Sequence, residues 1–245
     1  MMKLAFVLCV GVIAIGPNVA SAGRAQAART GGERFEVLSI KAVRPTLVNT
    51  VAALKKGDIA GAKAAFDAYD SGWNGIEVYI NTRSKEIYNE LELHLQADIT
   101  KALNSPGPNT SAILTDAQAL LAKFDQAVSM IEKAAPLNPL YDDVARLRIV
   151  RAHLREVSPA LKAGDVAKAR KSFAAFDDKW DSIEDLVKAR SQDAYTAIEK
   201  GMIDIERALM PDQPDAAQAG ALVSGVMDKY NAIVTEMTRE ARSRQ

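Results

Sequence analysis

The sequence predicts an all-α fold of two tandem four-helix up-down units related by internal duplication, and three observations predict it. First, Gly57-Asp58, Phe66, Asp70, Trp73, Ile76-Glu77, Arg83-Ser84, Tyr88 and Leu91-Glu92 recur as Gly164-Asp165, Phe173, Asp177, Trp180, Ile183-Glu184, Arg190-Ser191, Tyr195 and Ile198-Glu199. Every pair is 107 positions apart (173 minus 66). A fixed offset held over such a span, with both tryptophans inside it, reads as internal duplication. Second, apolar residues recur at steps of three and four, the period of one helix face. Third, no alternation of period two runs long enough to be a strand.

The amino terminus has the layout of a secretory signal peptide over residues 1–22: one positive charge at Lys3, an apolar run from Leu4 to Ile15, Gly16-Pro17, and small residues at Ala20-Ser21-Ala22. The apolar run is too short to span a bilayer as a mature helix. Phe6-Val7-Leu8 lacks the small residues that precede an acylated cysteine, which argues against a lipid anchor at Cys9. Cleavage after Ala22 would export the chain to the periplasm or beyond and leave it without cysteine. Disulfides, thiolate metal sites and covalent haem attachment through paired cysteines are then excluded. Positive and negative side chains balance at 31 each, so no strong field favours nucleic acid or an anionic membrane. No later apolar run predicts membrane insertion of the mature chain.

Residues 23–34, rich in Gly, Ala, Arg and Thr, read as a mobile leader. The first unit then spans 35–135. Its first helix carries Val37, Ile40, Val43, Leu47, Val51 and Leu54 on one face, with Pro45 predicted to kink or break it near Arg44. Gly57 supplies a C-cap and Asp58 an N-cap. A second helix over 59–81 places Phe66, Tyr69, Trp73, Ile76 and Ile80 on a continuous stripe, and Ser84 opens a third over 85–103 with Tyr88, Leu91, Leu95 and Ile99 inward. After the Pro106-Gly107-Pro108 loop, a fourth helix carries Ile113, Leu120, Phe124, Val128 and Ile131. Residues 136–140 form a linker, and the second unit, 141–245, repeats the plan with helices over 141–162 (containing Pro159), 166–189, 192–210 and 215–242. Lys123-Phe124 matches Lys229-Tyr230 at an offset of 106 instead of 107, which suggests one residue lost from a loop.

Each unit holds two aromatic-then-acid pairs four residues apart: Trp73 with Glu77 and Tyr88 with Glu92, then Trp180 with Glu184 and Tyr195 with Glu199. Residues four apart share a helix face, so each Glu flanks the core stripe. If the chain turns back near residue 82 or 83, Glu77 lies level with Tyr88 and Trp73 level with Glu92. Buried phenol O–H and indole N–H groups need acceptors, and a carboxylate serves either. Two readings of Glu77, Glu92, Glu184 and Glu199 stay open here. They are hydrogen-bonded parts of a structural network, or they gather inside a bundle to bind a divalent or ferric cation. Asp70 and Asp177, two turns before Glu77 and Glu184, either extend the acidic edge or solvate it; with Tyr88 and Tyr195 they complete the candidate binding set. Neither His94 nor His153 has a Glu three residues before it, so the Glu-x-x-His di-iron pattern is absent. Arg83-Ser84 and Arg190-Ser191 read as turn, cap and salt-bridge chemistry. No nucleophile elbow, phosphate loop or His-Glu-x-x-His motif points to an enzyme.

At Phe173-x-x-Phe176-Asp177-x-x-Trp180-x-x-Ile183-Glu184, followed by Arg190-Ser191-x-x-x-Tyr195-x-x-Ile198-Glu199, and again over Phe66 to Glu92, the chain resembles the periplasmic helical region at the amino end of some bacterial high-affinity iron permeases. The resemblance implies a periplasmic protein connected with iron or other divalent-metal uptake, with a membrane iron permease or another periplasmic protein as partner. The permease signature Arg-Glu-x-x-Glu and its membrane helices are absent, so this chain would not itself transport. The residues also allow a non-catalytic scaffold or interaction module, or a carrier of an apolar ligand.

Overall fold

The computed structural model describes residues 32–245; the signal peptide and most of the leader expected at 1–34 lie outside that range. Among the described residues the fold is all helical. Helix α1 (Phe35–Lys55) is followed by α2 (Ile59–Arg83). A continuous helical rod comes next: α3 (Lys85–Asn89), a π-helical segment (Glu90–Gln96) and α4 (Ala97–Leu103). Helix α5 (Thr110–Lys133) precedes the linker. Beyond it come α6 (Leu140–Arg155), α7 (Val157–Lys162), α8 (Val166–Trp180), α9 (Glu184–Lys188), α10 (Gln192–Leu209) and α11 (Ala216–Ser243).

Local chemistry sets the boundaries. Gly57 and Gly164 adopt φ of 72° and 73°, the left-handed conformation that stops a helix at little cost only in glycine. Asp58 and Asp165 then accept hydrogen bonds from Gly61 N and Lys168 N, while Ser84 and Ser191 accept from Ile87 N and Ala194 N. These caps satisfy amide donors at the start of α2, α8, α3 and α10. The predicted stripe of α1, Val37 through Leu54, is buried, as are Phe66, Tyr69, Trp73, Ile76 and Ile80 of α2. Arg34 and Arg83 both pair with buried Glu36 and donate to the carbonyl end of α5, tying three elements at one end.

Helix α1 packs on α2 and α5; α6 packs on α8 and α11; and α2 packs along α6, which joins the part before the linker to the part after it. The apolar core is continuous across that joint. Gly75 makes it possible, since a Cβ there would collide with Ile149. Tyr79, fully buried, donates its hydroxyl to Asp142 across the same contact at 2.8 Å.

The structure corrects four expectations. Pro45 does not break α1, which runs unbroken to Lys55. Pro159 does interrupt its helix: lacking an N–H to bond the Arg155 carbonyl, it splits the expected 141–162 helix at Glu156. The expected 166–189 helix is likewise broken at Asp181–Ile183, where Ser182 Oγ donates to the Lys179 carbonyl and the exposed Asp181 and Ser182 gain nothing from packing. The change of offset from 107 to 106 is not a lost loop residue. Leu91 and Ile198 match at 107, whereas Ile99 and Ile205, Leu103 and Leu209, and Ile113 and Ala219 match at 106, all of them buried. The extra residue therefore lies inside the rod, where the π segment absorbs it. Buried positions there run Leu91, Gln96, Ile99, Leu103 against Ile198, Met202, Ile205, Leu209, so Gln96 takes the inward place expected for Leu95.

This account predicts unequal tolerance of deletion. Removing Leu93 restores ordinary α-helical spacing from Leu91 to Gln96 and costs no more than ~2 kcal/mol in urea unfolding, whereas removing Ile203 rotates Ile205 and Leu209 off the core and costs over ~4 kcal/mol. Equal costs would contradict the π-segment account.

Candidate functional site

The candidate residues lie on the hairpin that turns at Ser84, whose extended backbone (φ −147°, ψ 105°) reverses the chain between α2 and α3. Because the two arms run antiparallel, positions equidistant from the turn meet. Trp73 Nε1 donates to Glu92, and the Tyr88 hydroxyl lies beside the Glu77 carboxylate. The Tyr88 ring stacks on the Trp73 ring with centroids 6.3 Å apart and 15° between planes. The second hairpin, turning at Ser191, repeats each contact. Trp180 Nε1 donates to Glu199, the Tyr195 hydroxyl lies beside Glu184, and the rings lie 6.4 Å apart at 14°. Both pairings inferred from height along the hairpin are thus present twice. Each half builds its own set from its own two arms.

Physical necessity explains the arrangement. Trp73 and Trp180 are buried to 1% and 2% exposure, and an indole N–H removed from water without an acceptor costs about 1–3 kcal/mol. A carboxylate meets the need at the price of its own desolvation. Burial, and next the nearby Glu77 charge, push the Glu92 carboxyl above its ordinary range. Burial pushes the Tyr88 hydroxyl up to about 12, with Glu77 and Glu92 adding to the shift.

The surroundings of the two sets differ. In the first half, Glu77 also accepts from Arg148 of α6 at 2.6 Å, with both side chains less than one-fifth exposed. Asp70 accepts from Gln96 of the π segment at 2.7 Å. Burial raises the Asp70 carboxyl, while Arg155 of α6 pulls it back. Nearby, the Tyr69 hydroxyl and Gln96 Oε1 are buried without hydrogen-bond partners. In the second half Phe176 stands where Tyr69 does, and among the described residues Glu184 forms no salt bridge. Asp177 does not join Glu184; it lines an open groove of about 370 Å³ between α8 and the end of α10, with Arg170, Phe173, Leu209 and Met210. Arg83 and Arg190 fill the salt-bridge role expected of them, with Glu36 and Glu240 respectively. His94 is exposed and His153 half-buried.

Arg148, Arg155 and Gln96 were not singled out in the sequence. Arg148 and Arg155 lie seven apart, two turns along one face of α6, a spacing that could have marked them as a pair serving a neighbouring helix. Among the described residues, no three His, Cys, Asp or Glu side chains converge as a metal centre requires. What the arrangement does chemically is accept hydrogen bonds from two aromatic donors and balance two or three half-buried carboxylates against arginines. Comparison with known protein families, curated proteins and solved structures finds no match for this chain.

Replacing Glu92 or Glu199 by Ala strands the indole N–H and is expected to cost ~1–3 kcal/mol in chemical unfolding. Glu92→Gln keeps an acceptor and removes the charge. Because the Glu92 carboxyl is raised in the folded state, its contribution is fully present below the unfolded carboxylate value of about 4.3 and is lost as pH rises through the folded value. The stability of Glu92→Gln relative to wild type should therefore increase with pH across that window. A difference that is flat from pH 4 to pH 7 would refute the assignment.

Proposed function

We propose that this chain is an exported, non-catalytic helical-repeat binding protein of two tandem four-helix units that arose by duplication. In this reading the repeated acids serve the fold, and the outer helix faces serve a protein partner. The observation that carries it is that the same acids are engaged within each half: Glu92 and Glu199 accept from indole N–H groups, and Glu77 and Glu184 lie beside tyrosine hydroxyls, Glu77 also accepting from Arg148. A carboxylate so engaged is held in place by the fold, with part of its acceptor capacity already committed. The equality of the two Trp–Tyr stacks, with interplanar angles of 15° and 14°, supports a common origin for the halves.

One observation favours a second reading, an accessory of periplasmic divalent-metal uptake acting beside a membrane iron permease. In the first half, burial, and next the nearby Glu92 and Asp70 charges, raise the pKa of the unpartnered Tyr69 hydroxyl, so two half-buried carboxyl groups and a buried phenol oxygen lie near one another. The likeness of Phe66 to Glu92 and Phe173 to Glu199 to the permease-associated helical region points the same way.

Calorimetric titration with Mn²⁺ and, anaerobically, Fe²⁺ separates the two. The scaffold reading expects no saturable binding to wild type or to Asp70→Ala/Glu92→Ala. Stoichiometric binding by wild type that the double variant loses would overturn it in favour of metal uptake.

A further inference from the structure

The repeat allows a comparison inside one chain. In the first half, α1 and α5 are joined along one seam by two ion pairs, Lys41 with Glu132 and Arg44 with Asp125, each at 2.7 Å. The second pair is bidentate. Arg44 Nε donates to Asp125 Oδ1 at 2.7 Å and Nη2 to Oδ2 at 2.9 Å, so one edge of the guanidinium fork grips both carboxylate oxygens. Moving 107 positions on along α6 and 106 along α11, Lys41 and Arg44 become Arg148 and Arg151, while Glu132 and Asp125 become Thr238 and Asn231. Both cations are kept and both carboxylates are gone.

The two arginines of the second half then fare differently. Arg148 takes a new partner across the joint, Glu77 of α2, at 2.6 Å. Arg151 keeps the bond to the matched residue of α11, its Nη1 donating to Asn231 Oδ1 at 2.8 Å, but among the described residues no carboxylate pairs with it. Its Nε is buried without a hydrogen-bond partner, and Nε belongs to the edge that holds the carboxylate in Arg44. The surrounding charges do not make up the loss: Arg148 and Arg155 lie about one turn to either side on the same helix, Glu77 is engaged by Arg148, and Arg155 acts on Asp70. Burial, and next the Arg148 and Arg155 charges, bring the Arg151 guanidinium down to about 10, with Tyr230 and Glu77 acting the other way, so it stays charged at neutral pH. A partly buried cation with an unsatisfied donor and no counter-charge is destabilising until an anion completes it. Arg151 and Asn231 each keep part of their surface exposed, so the place opens to solvent.

We propose that Arg151 and Asn231 form a binding site, on the seam between α6 and α11, for the carboxylate group of a small organic acid. The ligand takes the edge of the Arg151 fork that Asp125 fills in the first half, and the chain's own Arg44–Asp125 pair sets the chemical class. An aspartate at 231 would occupy the fork itself and repel a second anion. Asparagine removes that competitor and adds amide N–H donors, which a carboxylate accepts.

The test is a titration of the full chain with sodium acetate at constant ionic strength, followed through the arginine Nε–Hε resonances, with Arg151→Met identifying the Arg151 signal. That signal should shift saturably with a Kd of about 1–30 mM. Asn231→Asp restores the pair of the first half, so it should retain helical circular dichroism and lose the saturable response at least tenfold. Arg151→Met should show no saturable shift at any remaining arginine. The proposal fails if the Arg151 signal of wild type moves only linearly with acetate, or if Asn231→Asp binds as wild type does. It fails equally if inorganic phosphate saturates the site where acetate does not. Should Arg151→Met not fold, the comparison of wild type with Asn231→Asp decides the matter alone.

Discussion

The rest of the structure depends on the need of a buried indole N–H for an acceptor. A tryptophan at the centre of each hairpin supplies a large apolar surface, but its donor must be met inside the core. The acceptor comes from the opposite arm, nineteen residues on in both halves. That single bond brings a carboxylate beside the core, and the other features answer the carboxylate in turn. A tyrosine hydroxyl engages the acid on the first arm, the tyrosine ring stacks on the indole, and in the first half arginines from α6 balance the accumulated charge. Because donor and acceptor sit on opposite arms, the bond also sets the hairpin's register: sliding one arm by a turn would unmake both pairs together.

Much of this was readable from spacing. An aromatic residue and an acid four apart on each arm, with a serine between the arms, suffice to say which side chains meet, because an antiparallel pair of helices converts sequence distance from the turn into height. The caps at Asp58, Ser84, Asp165 and Ser191 were legible for a related reason. Their partners lie three residues away, so local sequence contains the whole interaction.

What was not legible depends on packing against distant elements. A π turn has no composition of its own; the segment Glu90–Gln96 differs from an α-helix only in holding one residue more between two buried ends, and that appears only when buried positions of the halves are set side by side. Nor could the sequence near Glu77 announce Arg148, which arrives seventy-one residues later from a helix across the joint. The break after Trp180 is the same kind of case. Its stretch carries the same apolar stripe as α2, and periodicity alone favours one long helix; what differs is that α2 is pressed along α6, whereas Asp181 and Ser182 face solvent.

The halves therefore diverge in the direction their positions require. The first half faces α6 along α2 and can keep Gly75, Val78 and Tyr79 there, because each is covered: glycine for close approach, valine for apolar contact, tyrosine for the bond to Asp142. Of the matched residues of the second half, Ser182 and Asp185 are polar and exposed, and Leu186 is only partly buried. The matched surface of the second half must stop offering the apolar contact by which α2 joins α6, since an exposed copy of it would recruit further chains. Acidic side chains on α8 and α9 do this at small cost, since they remain hydrated.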